Sequence, residues 1–324
     1  MKSNKLAFPP ANLVKIPVQK IRTVLHQALL SLILLALLSA CAVQGTSATP
    51  TAMSARPQPV FPTPQAVYTP LPTRPPFNPA ELVDYTAQMG DSLPALAAHF
   101  NTSVAEIRAA NPIIPQTATT MPPGMPMKIP IYYAPLWGTP YQIIPDSLFV
   151  DGPTELDFDL EGFIASQPGW LSTYHEGLIG GPQSTAQILR SVADNFSVSP
   201  RLLLALLEYF SQGLSNPVQP DNLTYILGYE DTFHQGVYMQ LVWMANTLNN
   251  GYYGWRRGTL IQFEHPDTRI ERPDPWQNAA TVALQYTFSR VYSSPIFDQM
   301  IGPGGVAETY ARLYGDPWAN IKPH

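Results

Sequence analysis

Glu208 is the acid whose setting most invites chemistry. It stands between Leu207 and Tyr209, in a run that is nearly all apolar from Leu202 to Phe210. A carboxyl in apolar surroundings has a raised pKa and can serve as the general acid of glycoside cleavage. A structural role is open to the same residue, because at helical spacing Glu208 shares a face with Arg201, Leu204 and Gln212, a partly polar surface. Other chemistries lack their residues. The six histidines form no His-x-His, His-x-x-x-Asp or His-Glu-x-x-His arrangement, so no metal site is expected. Glu161, Glu230 and Asp231 could oppose another acid across a cleft, which spacing alone does not decide, and His175-Glu176 reads as a surface pair. Cys41 is the single cysteine, so the chain contains no internal disulfide.

The elements that must position these residues change character along the chain. Residues 42–81 are rich in Pro, Thr, Ala and Ser and read as an extended, polyproline-like disordered linker. A small unit follows. Tyr85 and Thr86 begin a strand that runs into the turn Gly90-Asp91-Ser92. Ser92 then caps a helix carrying Leu93, Leu96, Ala97 and Phe100. Ser103 with Glu106 makes a capping box for a second helix, which Asn111-Pro112 ends, and Met127 to Pro130 forms a closing strand. Residues 132–180 have few helix signals. Beyond them helices are expected over Ser184–Phe196, from Pro200 through Phe210, and over Gln235–Asn249, Ala279–Tyr292 and Gly305–Tyr314, with a short strand at Thr259–Phe263.

The small unit resembles the LysM domain. It carries Tyr85-Thr86, Gly90-Asp91-Ser92-Leu93, Asn111-Pro112-Ile113-Ile114, Pro123-Gly124 and Ile129-Pro130 at that family's spacing. The resemblance implies a β-α-α-β fold that binds the N-acetylglucosamine units of peptidoglycan or chitin. It implies a groove between the first strand-helix loop and the second helix-strand loop, with Gly90, Asp91, Ser92, Leu93, Asn111, Pro112, Ile113 and Ile114 as contacts. Backbone amides and carbonyls would pair with acetamido groups, while Leu93 and Ile113 face the sugar ring. Pro94 and the long loop from Gln116 to Met121 depart from the pattern.

The run from Ile188 to Pro217 is similar to the start of the lysozyme-like fold of lytic transglycosylases, and Gly236 to Leu241 is faintly like a second motif of that family. The family's acid directly precedes a serine. Here that position, before Ser211, is Phe210, and Glu208 lies two residues early. Two residues are about 200° apart on a helix, so Glu208 points nearly opposite to the expected direction. The stretch from about 150 to 318 also looks like the helical region ahead of M23-type peptidase domains in LysM envelope proteins. Asn249 to Tyr253, Asn278 to Ala283 and Gly315 to Trp318 carry that likeness.

Ahead of these domains, Lys2, Lys5, Lys15, Lys20 and Arg22 precede an apolar run from Leu29 to Leu38, as in a secretory signal. Leu38-Ser39-Ala40-Cys41 resembles the lipobox of bacterial lipoproteins, which implies cleavage before Cys41 and lipid attached to it. Five of the 18 basic residues and none of the 23 acidic ones lie before Cys41, so the rest carries a formal charge of about −10. Such an acidic chain is a poor phosphate binder, which excludes nucleic acid as a partner.

The expected fold class is therefore multidomain α+β: signal peptide 1–40, lipidated linker 41–81, LysM domain 82–132 and a mainly helical, lysozyme-like domain 133–324. The expected function is peptidoglycan binding by a membrane-anchored lipoprotein that faces the cell wall or periplasm. It would act as a wall tether or scaffold for an envelope hydrolase, with no cofactor. The alternative is a muramidase or lytic transglycosylase using Glu208.

Overall fold

The computed structural model describes residues 70–319. The expected signal peptide, Cys41 and most of the linker lie outside the described residues. Among the described residues no helix is long and apolar enough to cross a membrane.

The small unit is β-α-α-β. Strand β1 (Glu81–Thr86) pairs antiparallel with β2 (Pro126–Ile131), with Tyr85 opposite Met127. Helix α1 (Leu93–His99) starts at Ser92, whose hydroxyl accepts from Ala95 N. Helix α2 (Val104–Ala110) starts with the expected capping box of Ser103 and Glu106. Leu93, Leu96, Phe100, Ile107 and Ile129 are fully buried between these helices and the sheet.

The rest is mostly helical. Helix α3 (Leu160–Ala165) precedes a hairpin of β3 (His175–Leu178) and β4 (Gly181–Ser184). Helix α4 (Thr185–Phe196) opens with a capping box of Ser184 and Gln187. Helix α5 (Pro200–Ser211) has proline in its first turn and Ser199 as its cap. Every residue of α5 from Leu202 to Ser211 is buried, as its all-round apolar sequence requires. Helix α6 (Gly236–Arg256) lies along α7 (Ala279–Ser289), with the short strands β5 (Phe263–Glu264) and β6 (Ile270–Glu271) between them in sequence. Helices α8 (Ser294–Ile301) and α9 (Val306–Tyr314) complete the domain, and α9 packs on α5.

Several expectations shift. Helix α6 continues past Asn249-Asn250-Gly251 to Arg256, because Gly251 packs closely on α7. A Cβ at Gly251 would stand 2.8 Å from Ala283 Cα, so packing overrides the weak helix propensity there. The strand expected at Thr259–Phe263 shrinks to two residues, since only Phe263 and Glu264 find a partner. The hairpin and helices α3 and α8 fall where no element was expected. The last residues of the expected linker are docked rather than free. Leu71 packs on the helical core, Arg74 pairs with Asp274, and the Arg74 guanidinium lies 4.1 Å from the Trp276 ring.

The two parts share a tight boundary. The His99 ring, at the end of α1, stacks on Trp255 of α6 at 3.4 Å and 5°. Trp276 meets Phe100 edge-on at 4.9 Å, and its Nε1 donates to Asp84 O at 3.1 Å.

The turn after α5 is clamped from the other side. Gly169 N donates to Leu214 O at 2.8 Å, Trp170 N to Asn216 O at 2.9 Å, and Leu171 N to Gly213 O at 3.0 Å. A Cβ at Gly169 would fall 2.1 Å from Gly213 O and 2.3 Å from Leu214 C, both rigid backbone atoms. Gly169→Ala is therefore expected to cost about 3 kcal/mol. A urea-unfolding midpoint equal to wild type would contradict this.

Candidate functional site

The first loop of the small unit, Ala87 to Ser92, turns at Gly90 with φ of +84°, a conformation that favours glycine. Asp91 holds the turn closed: its Oδ2 accepts from Tyr85 Oη at 2.6 Å and from Gln88 N at 2.7 Å. Burial pushes the Asp91 carboxyl up, and the Tyr85 hydroxyl, the Gln88 amide and the Arg256 charge oppose that rise. Tyr85 is driven well above its ordinary value, by burial first and then by Asp91.

The loop is stitched to the strand-ward end of the second loop. Leu93 N donates to Thr119 O and Met121 N to Asp91 O, each at 2.9 Å, and Ser92 bridges Thr120. The second loop is held by Arg108, which donates to Pro115 O at 2.5 Å and Ala118 O at 2.7 Å.

The eight residues expected to line a groove separate by exposure. Gly90, Pro112 and Ile113 are exposed, and Asp91 and Ser92 are half-buried. Leu93 and Ile114 belong to the core, so neither side chain meets solvent. Asn111 is buried too: its amide donates to Ile107 O at 2.7 Å and Lys128 O at 2.6 Å, and its Oδ1 accepts from Lys128 N at 2.9 Å. Leu93, Asn111 and Ile114 thus serve the fold; their side chains have nothing left to offer a sugar. The apolar surface lies instead at Met89, 72% exposed, and Ile113, 80% exposed, one on each loop. Met89 lies outside the expected set, although a large apolar residue just before a turn glycine is a signal of that kind.

Glu208 is also buried, 1% exposed, and not on a polar surface as its helical neighbours suggested. Its face of α5 is covered by the turn that follows the helix. Glu208 Oε2 accepts from Leu214 N and Oε1 from Ser215 Oγ, both at 2.7 Å, and Arg312 of α9 is 3.5 Å from Oε1. Phe210 packs in the core beside Tyr292, ring centroids 5.8 Å apart. The neighbouring acid Glu155 accepts from Ser199 Oγ at 2.7 Å and lies 3.4 Å from Arg201; burial raises its carboxyl.

The remaining polar residues sort as follows. Glu176 accepts from Tyr238 N at 2.9 Å and so caps α6, rather than pairing with His175. Asp231 pairs with His234 at 2.8 Å. Glu161 lines an open groove of about 740 Å³ together with Asp159, Gln187, Arg190 and Asp194. Among the described residues no three of His, Cys, Asp and Glu come together as metal donors.

Residues 85–130 match the family profile of the LysM domain, a module that binds N-acetylglucosamine glycans such as peptidoglycan. Residues 142–324 match the profile described as LasA, N-terminal domain. Comparison with curated proteins and with solved structures finds no significant match. The second profile spans more than half of the 324 residues, so the chain belongs to the LasA N-terminal-domain family and carries a LysM domain ahead of that region.

Proposed function

We propose that the protein binds peptidoglycan through its LysM loops and acts as a wall tether or scaffold, with the helical domain non-catalytic. The observation that carries this reading is the pair of main-chain-stitched loops, each presenting one exposed apolar side chain, Met89 and Ile113. Exposed apolar tips beside fixed backbone amides and carbonyls suit the two faces of an N-acetylated sugar. Anchoring through lipid on Cys41 and recruitment of an envelope hydrolase belong to the same proposal and rest on the sequence pattern. Glycan cleavage is disfavoured, because a general acid must reach the glycosidic oxygen, and Glu208 is enclosed with both oxygens engaged.

The test is retention on isolated peptidoglycan, scored together with release of soluble muropeptides. Wild type and Glu208→Gln should both be retained and release nothing. The double change Met89→Ser with Ile113→Ser should weaken retention about tenfold, roughly 1.4 kcal/mol. Its melting temperature should be unchanged, because both side chains are exposed. Release of muropeptides by wild type that Glu208→Gln abolishes would replace the tether with an enzyme.

A further inference from the structure

The first glycan-facing loop is braced from outside the LysM domain. Arg256, the last residue of α6, sends Nη2 to Met89 O at 2.6 Å and Nη1 to Tyr252 Oη at 2.7 Å. Its guanidinium lies so close over Gly90 that a Cβ there would stand 1.3 Å from Nη2. The positive φ favours glycine at position 90, and a side chain there would also displace the guanidinium that rests on it. Burial raises the carboxyls of Asp91, which closes the loop, and of Asp146, and the Arg256 charge opposes part of each rise. Arg256 is itself half-buried, while Met89 and Gly90 remain open to solvent on their other side. The guanidinium therefore supports the loop from behind and leaves its outer face uncovered.

We propose that Arg256 is a positioning residue of the glycan site. It fixes the turn from Gln88 to Asp91, so that the helical domain supplies part of the binding competence of the LysM domain. This inference rests on the reading of the LysM loops as the glycan site. A bidentate donor tied at one end to Tyr252 and at the other to Met89 O sets the direction of the Met89–Gly90 peptide, whose polar groups would pair with an acetamido group. Tyr252 is held in turn by stacking on Phe149 at 4.3 Å. The brace is therefore anchored in the helical core and not on a mobile side chain.

The test titrates the full chain, solubilised in detergent, with the N-acetylglucosamine pentamer. Arg256→Ala should weaken binding about tenfold and shift the amide resonances of Met89 and Gly90 before any sugar is added. Arg256→Lys, whose single ammonium cannot join Tyr252 Oη and Met89 O at once, should recover only part of the affinity. Arg272→Ala is the control for general docking. Arg272 donates to Ala98 O at 3.3 Å across the same boundary but touches neither loop. That variant should bind within twofold of wild type.

Three results would overturn the inference while leaving the LysM reading intact. The first is Arg256→Ala binding within twofold of wild type. The second is Arg256→Ala binding more tightly, which would make the guanidinium a cover. The third is an equal loss in Arg272→Ala. Failure of the wild-type chain to bind the pentamer would instead remove the LysM reading and this inference with it.

Discussion

Lowering the pH from 7 to 4 is expected to destabilise the protein through His99, by up to about 1.4 kcal/mol for each pH unit below 6.5. His99 is 5% exposed, stacked on Trp255, and its Nε2 lies 3.0 Å from Trp255 O. Burial pushes its pKa down from 6.5 to about 3, and the nearby Arg272 charge adds to the fall. Above pH 6.5 the ring is neutral in both states and contributes nothing to the pH dependence. Between about 6.5 and 3 the unfolded chain takes up a proton that the folded one refuses, so stability drops as the pH falls. Asp91, Asp146 and Asp274 work in the opposite sense, because burial raises each of these carboxyls and favours the protonated, folded form in acid.

The His99 contribution is therefore read as a difference. His99→Gln retains a donor for Trp255 O but does not titrate. The difference in urea-unfolding free energy between wild type and variant should be constant above pH 6.5 and shift steadily against the wild type as the pH falls toward 3. Parallel profiles would show that the ring is protonated in place.

Glu208→Ala should cost about 3 kcal/mol, whereas Glu208→Gln should cost less than about 1 kcal/mol. Alanine removes the acceptor of Leu214 N, a buried amide whose unpaired state costs about 1–3 kcal/mol, and leaves a small cavity as well. Glutamine keeps a carbonyl for that amide. Arg312 adds little to the difference, because its side chain is 54% exposed and water can satisfy it. In a domain of this size the alanine change should lower the melting temperature by about 6–12 °C. A catalytic glutamate would show the reverse: glutamine would abolish activity, and alanine would leave stability intact or raise it. An alanine variant as stable as wild type would show that the carboxylate does not hold the turn after α5.

The Glu208 result also bears on the helical domain as a whole. Its turn from Gly213 to Asn216 is bound on one side by Glu208 and on the other by residues 169–171. The turn itself lies within the run from Ile188 to Pro217 that invited comparison with glycan-cleaving enzymes.

Local rules determined much of this protein in advance. The caps at Ser92, Ser103 and Ser184, the proline that opens α5 and the glycine turn at position 90 each depend on neighbours within a few residues. For that reason the β-α-α-β unit and the starts of the main helices were legible as written. The end of α6 was not, because Asn249-Asn250-Gly251 reads as a stop until Ala283 of α7 is placed against it. The same limit divided the candidate site. The likeness to LysM put eight residues on two loops, but only packing decided that Leu93, Asn111 and Ile114 turn inward and that Met89 and Ile113 remain outside. Sequence could not foresee that Glu208 is closed over by its own following turn, or that Arg256 reaches Met89 across 167 positions. Burial and long-range hydrogen bonds are set by what the chain brings together, and the tertiary structure alone supplies that.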